Sequence, residues 1–229
     1  MDGGSHEVEK VRPTTGELIG VLVRGTFGMV PGGALLAEAA GLAWITHDRL
    51  MRASETATAM AEPGADLDGL LEAVHADERL QVLALQAIEV GAVTALRRKR
   101  LLLGRVVRRA VADRARIDES QLIADTLRSL DAPHISALVR MRAAEAVHLS
   151  PEEVPPPDAP SDSDLASRQE RGRAAVLAAA QDFPDPVINP LVFYGCMRQA
   201  ALWDTVGTFL PGATTAFGRQ LLRDLEKCQ

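Results

Sequence analysis

The sequence predicts a mainly α protein, with a multi-helix N-terminal domain followed by a small α+β module. Three observations carry this. Of the 229 residues 47% are hydrophobic but only 3% are aromatic, so the core must be built from Leu, Val, Ile and Ala, which favour helix on helix over stacked sheets. Apolar residues recur at three- and four-residue spacing as far as residue 149. Five of the 13 prolines then fall between Pro151 and Pro160, among Asp, Glu and Ser, a composition that stiffens a linker and has too little apolar surface to pack. The expected organisation is a polar tail (1–13), an all-α domain (14–149), a proline-rich acidic linker (150–164) and a C-terminal module (165–229).

The helices are placed by their caps. Thr14 or Thr15 can cap a first helix with Glu17 in its first turn, and Val30-Pro31-Gly32-Gly33 turns the chain back. A second helix runs from about Gly33 to Met60 and stops at Glu62-Pro63-Gly64. Asp66 caps a third, through Leu67, Leu70, Leu71 and Val74, and Asp77 caps a fourth, with Leu80, Leu83 and Ile88. Gly91 to Thr94 breaks the pattern, so Thr94 is expected to cap a fifth helix from Ala95 to Asp113. Asp118 caps a sixth. Asp131 caps a seventh, with Pro133 in the tolerated first turn and His134 paired locally to Asp131. Beyond the linker, helices are expected over Leu165–Phe183 and Asn189–Trp203, the latter started by Asn189 and Pro190. Thr205 to Leu210 followed by Pro211-Gly212 reads as a short hairpin, and Thr215 caps a last helix with Phe217, Leu221, Leu222 and Leu225.

Helix, helix, hairpin and closing helix, with TTAFGRQLLRDL after the hairpin, resembles the second half of a winged-helix domain. In that family a threonine and a glycine a few positions on often open the helix after the wing, and Thr215 and Gly218 match. The helical part is similar to bacterial Abi-alpha-like proteins linked to abortive infection, on PGGALLAEAAG and on the Leu-rich pair in SQLIADTLRSLDAPHISAL. That resemblance implies a role in phage resistance and brings no catalytic residues. Only Lys10, Lys99 and Lys227 among the 25 basic residues are lysine, a bias that points to a GC-rich bacterial genome.

Several chemistries find no motif. The histidines at 6, 47, 75, 134 and 148 never stand three or four apart, and neither Cys196 nor Cys228 has a histidine neighbour, so no metal site is expected. The glycines at 25, 28, 32 and 33 lack both a following Lys-Ser/Thr and a preceding apolar strand, so no phosphate loop, cofactor or small-molecule substrate is expected. No Gly-x-Ser-x-Gly occurs, and the acids at 152, 153, 158, 162 and 164 belong to the linker rather than to an acid–base pair. The N-terminal residues lack the apolar core of a secretory signal, which places the expected protein in the cytoplasm.

What remains is a set of surfaces. Residues 97 to 116 hold nine basic residues against Asp113 alone, while the rest of the chain has 16 basic and 30 acidic residues, so a segment at +8 brings a remainder at −14 to the total of −6. At 100° per residue Arg97, Arg98, Arg105, Arg108 and Arg109 lie within about 120° of one another, with Leu96, Leu103, Val107 and Ala110 opposite. The arginine face is expected to pair with acids of the same chain, to meet phosphate on nucleic acid or an anionic membrane, or to bind an acidic partner protein. From Gly25 to Ile45 only Glu38 is charged, which suits a buried helical hairpin or a segment that inserts into a membrane on triggering. In the C-terminal module the contact residues are Asn189, Tyr194, Arg198 and Gln199. With one positive charge among them, that module suits a protein partner better than DNA. The expected function is that of a non-catalytic interaction protein, peripheral to the membrane if the basic face meets lipid. The alternative is a winged-helix transcription regulator.

Overall fold

The computed structural model describes residues 43–61, 67–148, 162–200 and 211–228. The expected tail, the helical hairpin before residue 43, the linker over 150–161 and the Thr205–Leu210 strand lie outside these residues.

Among the described residues the chain forms nine α-helices and a two-stranded sheet. The helices are α1 (Ala43–Met60), α2 (Leu67–His75), α3 (Glu78–Val93), α4 (Arg97–Ala112), α5 (Ile117–Ser129), α6 (Ala132–Ala146), α7 (Asp162–Ala180), α8 (Asp185–Phe193) and α9 (Ala216–Glu226). The strands are β1 (Met197–Gln199) and β2 (Pro211–Thr214). A single 3-10 turn, Arg114–Arg116, separates α4 from α5.

Local chemistry sets most of the boundaries. Asp77 starts α3 by accepting the Arg79 amide at 3.0 Å. Asp131 starts α6, and His134 Nδ1 accepts the Asp131 amide at 2.9 Å, so this histidine serves the helix end as expected. Thr215 starts α9 by accepting the Gly218 amide at 2.9 Å.

Gly91 does not end its helix. α3 continues to Val93, because Gly91 is there for packing: a Cβ at 91 would lie 2.1 Å from Thr56 Oγ1 on α1. Gly104 on α4 plays the same part, since its Cβ would lie 2.5 Å from both Ala59 Cβ and the Thr56 carbonyl oxygen. The two glycines let α1 sink between α3 and α4. Thr94 therefore closes α3, and α4 begins at Arg97 rather than Ala95. The carbonyls of Thr94 and Ala95 are turned to the Arg100 guanidinium, at 2.9 and 3.0 Å, and are lost to the helix. Asp118 is not a cap either. Asp113 caps the 3-10 turn through the Ala115 amide at 3.1 Å, and Asp118 sits in the first turn of α5, paired with Arg79.

The C-terminal segment departs further from expectation. α7 starts at Asp162, so Asp162 and Asp164 belong to a helix and not to the linker, and it ends at Ala180. α8 starts at Asp185 with Pro186 in its first turn and stops at Phe193, instead of running from Asn189 to Trp203. Gly195 ends it: at φ +69 it adopts the left-handed conformation that closes helices, and the chain leaves as β1. Pro211 and Gly212 are strand residues, not a turn. β2 pairs antiparallel with β1, Met197 opposite Thr214 and Gln199 opposite Pro211, with a bulge between. Gly212 fits at that bulge because a Cβ there would meet the Ala200 backbone at 3.3 Å.

One apolar cluster runs through the described residues. It takes in Met60, Val74, Leu80, Leu83, Leu102, Leu103, Leu127, Leu138 and Met141 from the first six helices, and Val176, Leu191, Met197, Leu221 and Leu225 from the C-terminal segment. α7 and α8 pack on α6, and α9 packs on α4 and α6. At the α6–α7 contact Arg140 bridges to Asp182 at 2.5 Å and lies over the Phe183 ring at 5.9 Å.

Candidate functional site: the arginine face of α4 and the C-terminal surface

α4 divides as its sequence predicts. Leu103, Val107 and Ala110 are fully buried, while Arg97 and Arg98 are exposed and Arg105, Arg108 and Arg109 are half-buried on the other side. Two of the half-buried group, Arg105 and Arg109, face α9. Arg109 makes a two-pronged contact with Asp224, Nη1 to Oδ2 at 2.9 Å and Nη2 to Oδ1 at 3.2 Å. Gln220 Nε2 donates to the same carboxylate at 3.0 Å, and Lys227 Nζ lies 3.9 Å from it. Arg105 Nη1 donates to the Lys227 carbonyl at 2.8 Å, where the unpaired carbonyls of the last turn of α9 give that end partial negative charge.

The electrostatics are those of a built ion pair. Burial pushes the Asp224 carboxyl up, but the Arg109 and Gln220 hydrogen bonds and the charges of Arg109 and Lys227 prevail and hold it below the usual carboxylate range. The Asp224 bond raises Arg109 in turn, against the cost of burial.

Two cations of the same helix lie on its buried side. Lys99 is 1% exposed, with Nζ 2.9 Å from the Leu130 carbonyl and 3.4 Å from Asp131 Oδ1. Burial lowers its pKa, and Asp131 offsets part of that. Arg100 pairs with Glu55 of α1 at 2.8 Å besides closing the Thr94–Ala95 corner. The arginine-face pattern missed both. The signal was present, because on the same wheel Lys99 and Arg100 fall among the apolar positions, where a cation needs an internal partner. Arg97 and Arg98 have no partner among the described residues.

The four C-terminal contact residues do not share a helix. Asn189 lies inside α8 with its Oδ1 buried and without a partner among the described residues. Tyr194 closes α8, and its hydroxyl accepts a bond from Ser129 at 2.6 Å. Arg198 and Gln199 are exposed on β1. Sequence reasoning missed Phe193. It is 75% exposed, and its ring stands edge-on to Tyr194 with centroids 5.1 Å apart.

No family model, curated protein or solved structure matches the chain.

Among the described residues no group of three metal-ligating side chains comes together, and no helix is long and apolar enough to cross a membrane. Both thiols are buried; burial pushes Cys196 up to about 12 and also raises Cys228 against the pull of Arg105 and Arg109. A shallow hollow of about 290 Å³ between α3 and α5 is lined by Glu78, Arg79, Val82, Ile117, Asp118 and Gln121. Its Arg79–Asp118 pair is already made.

Proposed function

We propose that this chain is a non-catalytic interaction protein, with the helical segment as scaffold and the C-terminal segment as the surface that meets a protein partner. Phe193 is the observation that carries the reading. A phenylalanine three-quarters exposed, braced by a tyrosine that Ser129 holds in place, loses little conformational freedom when a partner covers it. Exposed Arg198 and Gln199 follow it along the chain and supply polar contacts at the rim. The resemblance to abortive-infection proteins makes a bacterial cytoplasm and phage defence the proposed setting.

The winged-helix reading of residues 165–229 is supported by the order of two helices, a small antiparallel sheet and a closing helix, and by the Thr215–Gly218 cap. Its DNA-binding form draws little support. Arg198 leaves α8 for β1, Asn189 is turned inward, and Arg105 and Arg109 are engaged by α9. Phosphate affinity rests on available Lys and Arg.

A photoreactive aromatic in place of Phe193 tests the proposal in living cells. One discrete protein adduct is expected, weakened by Arg198→Glu and absent when the reactive group sits at exposed Asp182. A duplex-DNA shift that survives about 150 mM salt, where screening acts over roughly 8 Å, and that falls on Arg198→Ala would overturn it in favour of the regulator.

A further inference from the structure

The arginine face is longer than the helix that covers it. Asp224 meets Arg109 and Lys227 meets Arg105, so advancing along α9 means going backward along α4, and the two helices run antiparallel at this contact. α9 ends at Glu226, level with Arg105. Arg98 and Arg97 lie seven and eight residues further back on α4, about 11 Å at 1.5 Å per residue, on the same side and exposed. A helix lying as α9 lies would reach them with two more turns.

The present occupant also shows what chemistry the face accepts. α9 brings Leu221, Leu222 and Leu225 as a buried apolar stripe, a carboxylate three-hundredths exposed, and the electronegative end of a helix. Asp224 answers one arginine with both its oxygens, and a second carboxylate could take that place without altering α4. A partner carboxylate at that position would replace one buried pair by another and leave neither charge stranded.

We infer that the arginine face of α4 is a docking site for an acidic amphipathic helix, held in cis by α9 and open to a partner helix that carries further acids opposite Arg98 and Arg97. The partner chemistry is therefore a leucine stripe with a carboxylate at the Asp224 position and glutamates or aspartates over the next two turns. This site uses none of the Phe193 surface, so the two readings fail separately.

The test uses the full chain and two labelled peptides, the α9 sequence alone and the α9 sequence continued by two turns bearing glutamates. Fluorescence anisotropy should show the extended peptide binding the wild type at least tenfold more tightly than the short one. Arg97→Glu with Arg98→Glu should remove that tenfold difference and leave the short peptide unchanged. Asp224→Asn, which weakens the cis occupant, should strengthen both peptides. Hydrogen exchange on the wild type reads the same event without a variant: the extended peptide should speed exchange of the α9 amides while those of α4 stay protected. Peptides that bind equally, or α9 amides unmoved by saturating peptide, would overturn the inference. So would duplex DNA or phosphatidylserine vesicles binding through Arg97 and Arg98 where the peptide does not.

Discussion

Arg109 and Asp224 form one ion pair, yet removing its two members should not cost the same. The Asp224 side chain is 3% exposed and that of Arg109 is 37% exposed. Arg109→Ala strands a buried carboxylate whose remaining neighbours are Gln220 at 3.0 Å and Lys227 at 3.9 Å, which should cost about 3 kcal/mol. Asp224→Ala leaves an arginine that water already reaches, and after discounting for that screening the cost falls to about 1 kcal/mol. For a chain of this size the difference corresponds to roughly 4–8 °C in Tm. The pH dependence has a definite sign. The folded carboxyl titrates below its unfolded value near about 3.9, so its stabilisation is complete above that pH and is lost as pH falls through the folded pKa. In Arg109→Ala burial is opposed only by Gln220 and Lys227, so the carboxyl moves up from its wild-type value, and the gap between wild type and variant should narrow on acidification from pH 7 to 4. Urea denaturation of both variants at the two pH values measures this. Equal costs, or a gap that widens with acid, would refute the assignment of Asp224 as the buried partner. The charge reversal Arg105→Glu with Arg109→Glu should lower Tm as well. If Tm is unmoved and anion binding is lost instead, the face serves an external ligand and not α9.

Gly104→Ala should destabilise by about 2–3 kcal/mol in urea, because the added methyl meets the Thr56 backbone, and Gly91→Ala should cost about as much, since it meets the Oγ1 and Cβ of the fully buried Thr56. Lys99→Met should change stability by only about 1 kcal/mol at pH 7, the relief of a buried ammonium offsetting the lost Leu130 partner. Because the folded Lys99 pKa is lowered, the wild type should gain stability as pH rises from that value towards about 10.4, and the methionine variant should not. Thr215→Ala should cost about 1 kcal/mol as a lost cap, and Gly218→Ala more, since its Cβ would lie 2.2 Å from the Cys196 carbonyl oxygen; thermal melts rank the two. Limited proteolysis should cut first within residues 150–161, on composition, yet the two fragments should elute together, because α7, α8 and α9 share the core of the first helices.

What could be read in advance was local. Asp77, Asp131 with Pro133 and His134, and Thr215 with Gly218 each act within a few residues of themselves, and each was legible. Two errors came from signals with two physical meanings. Gly91 and Gly212 looked like breaks, but glycine also permits close approach, and which use applies depends on α1 and on Ala200, distant or across a strand pair. Asn189-Pro190 looked like a helix start, but Asp185-Pro186 had already begun the helix, and Tyr194-Gly195 carried the stop signal that was overlooked. At the candidate site the amphipathic division of α4 was legible, and internal pairing was one of the three alternatives for its arginines. Which acid would answer them was not, because Asp224 lies 115 residues away. The exposure of Phe193 was equally out of reach, since an aromatic at the end of an apolar helix reads as core.

That separation of 115 residues has a consequence in time. The chain is made from the N-terminus, so α4 is complete while the residues that will cover it have yet to be joined. At about 5–20 residues per second the interval from Arg109 to Asp224 lasts roughly 6–23 s. Throughout it Arg105 and Arg109 face whatever surrounds the growing chain, with the acidic half of their contact absent. The acid that quiets this band is translated 115 residues after Arg109, and a chain cut short before it would carry the arginines uncovered.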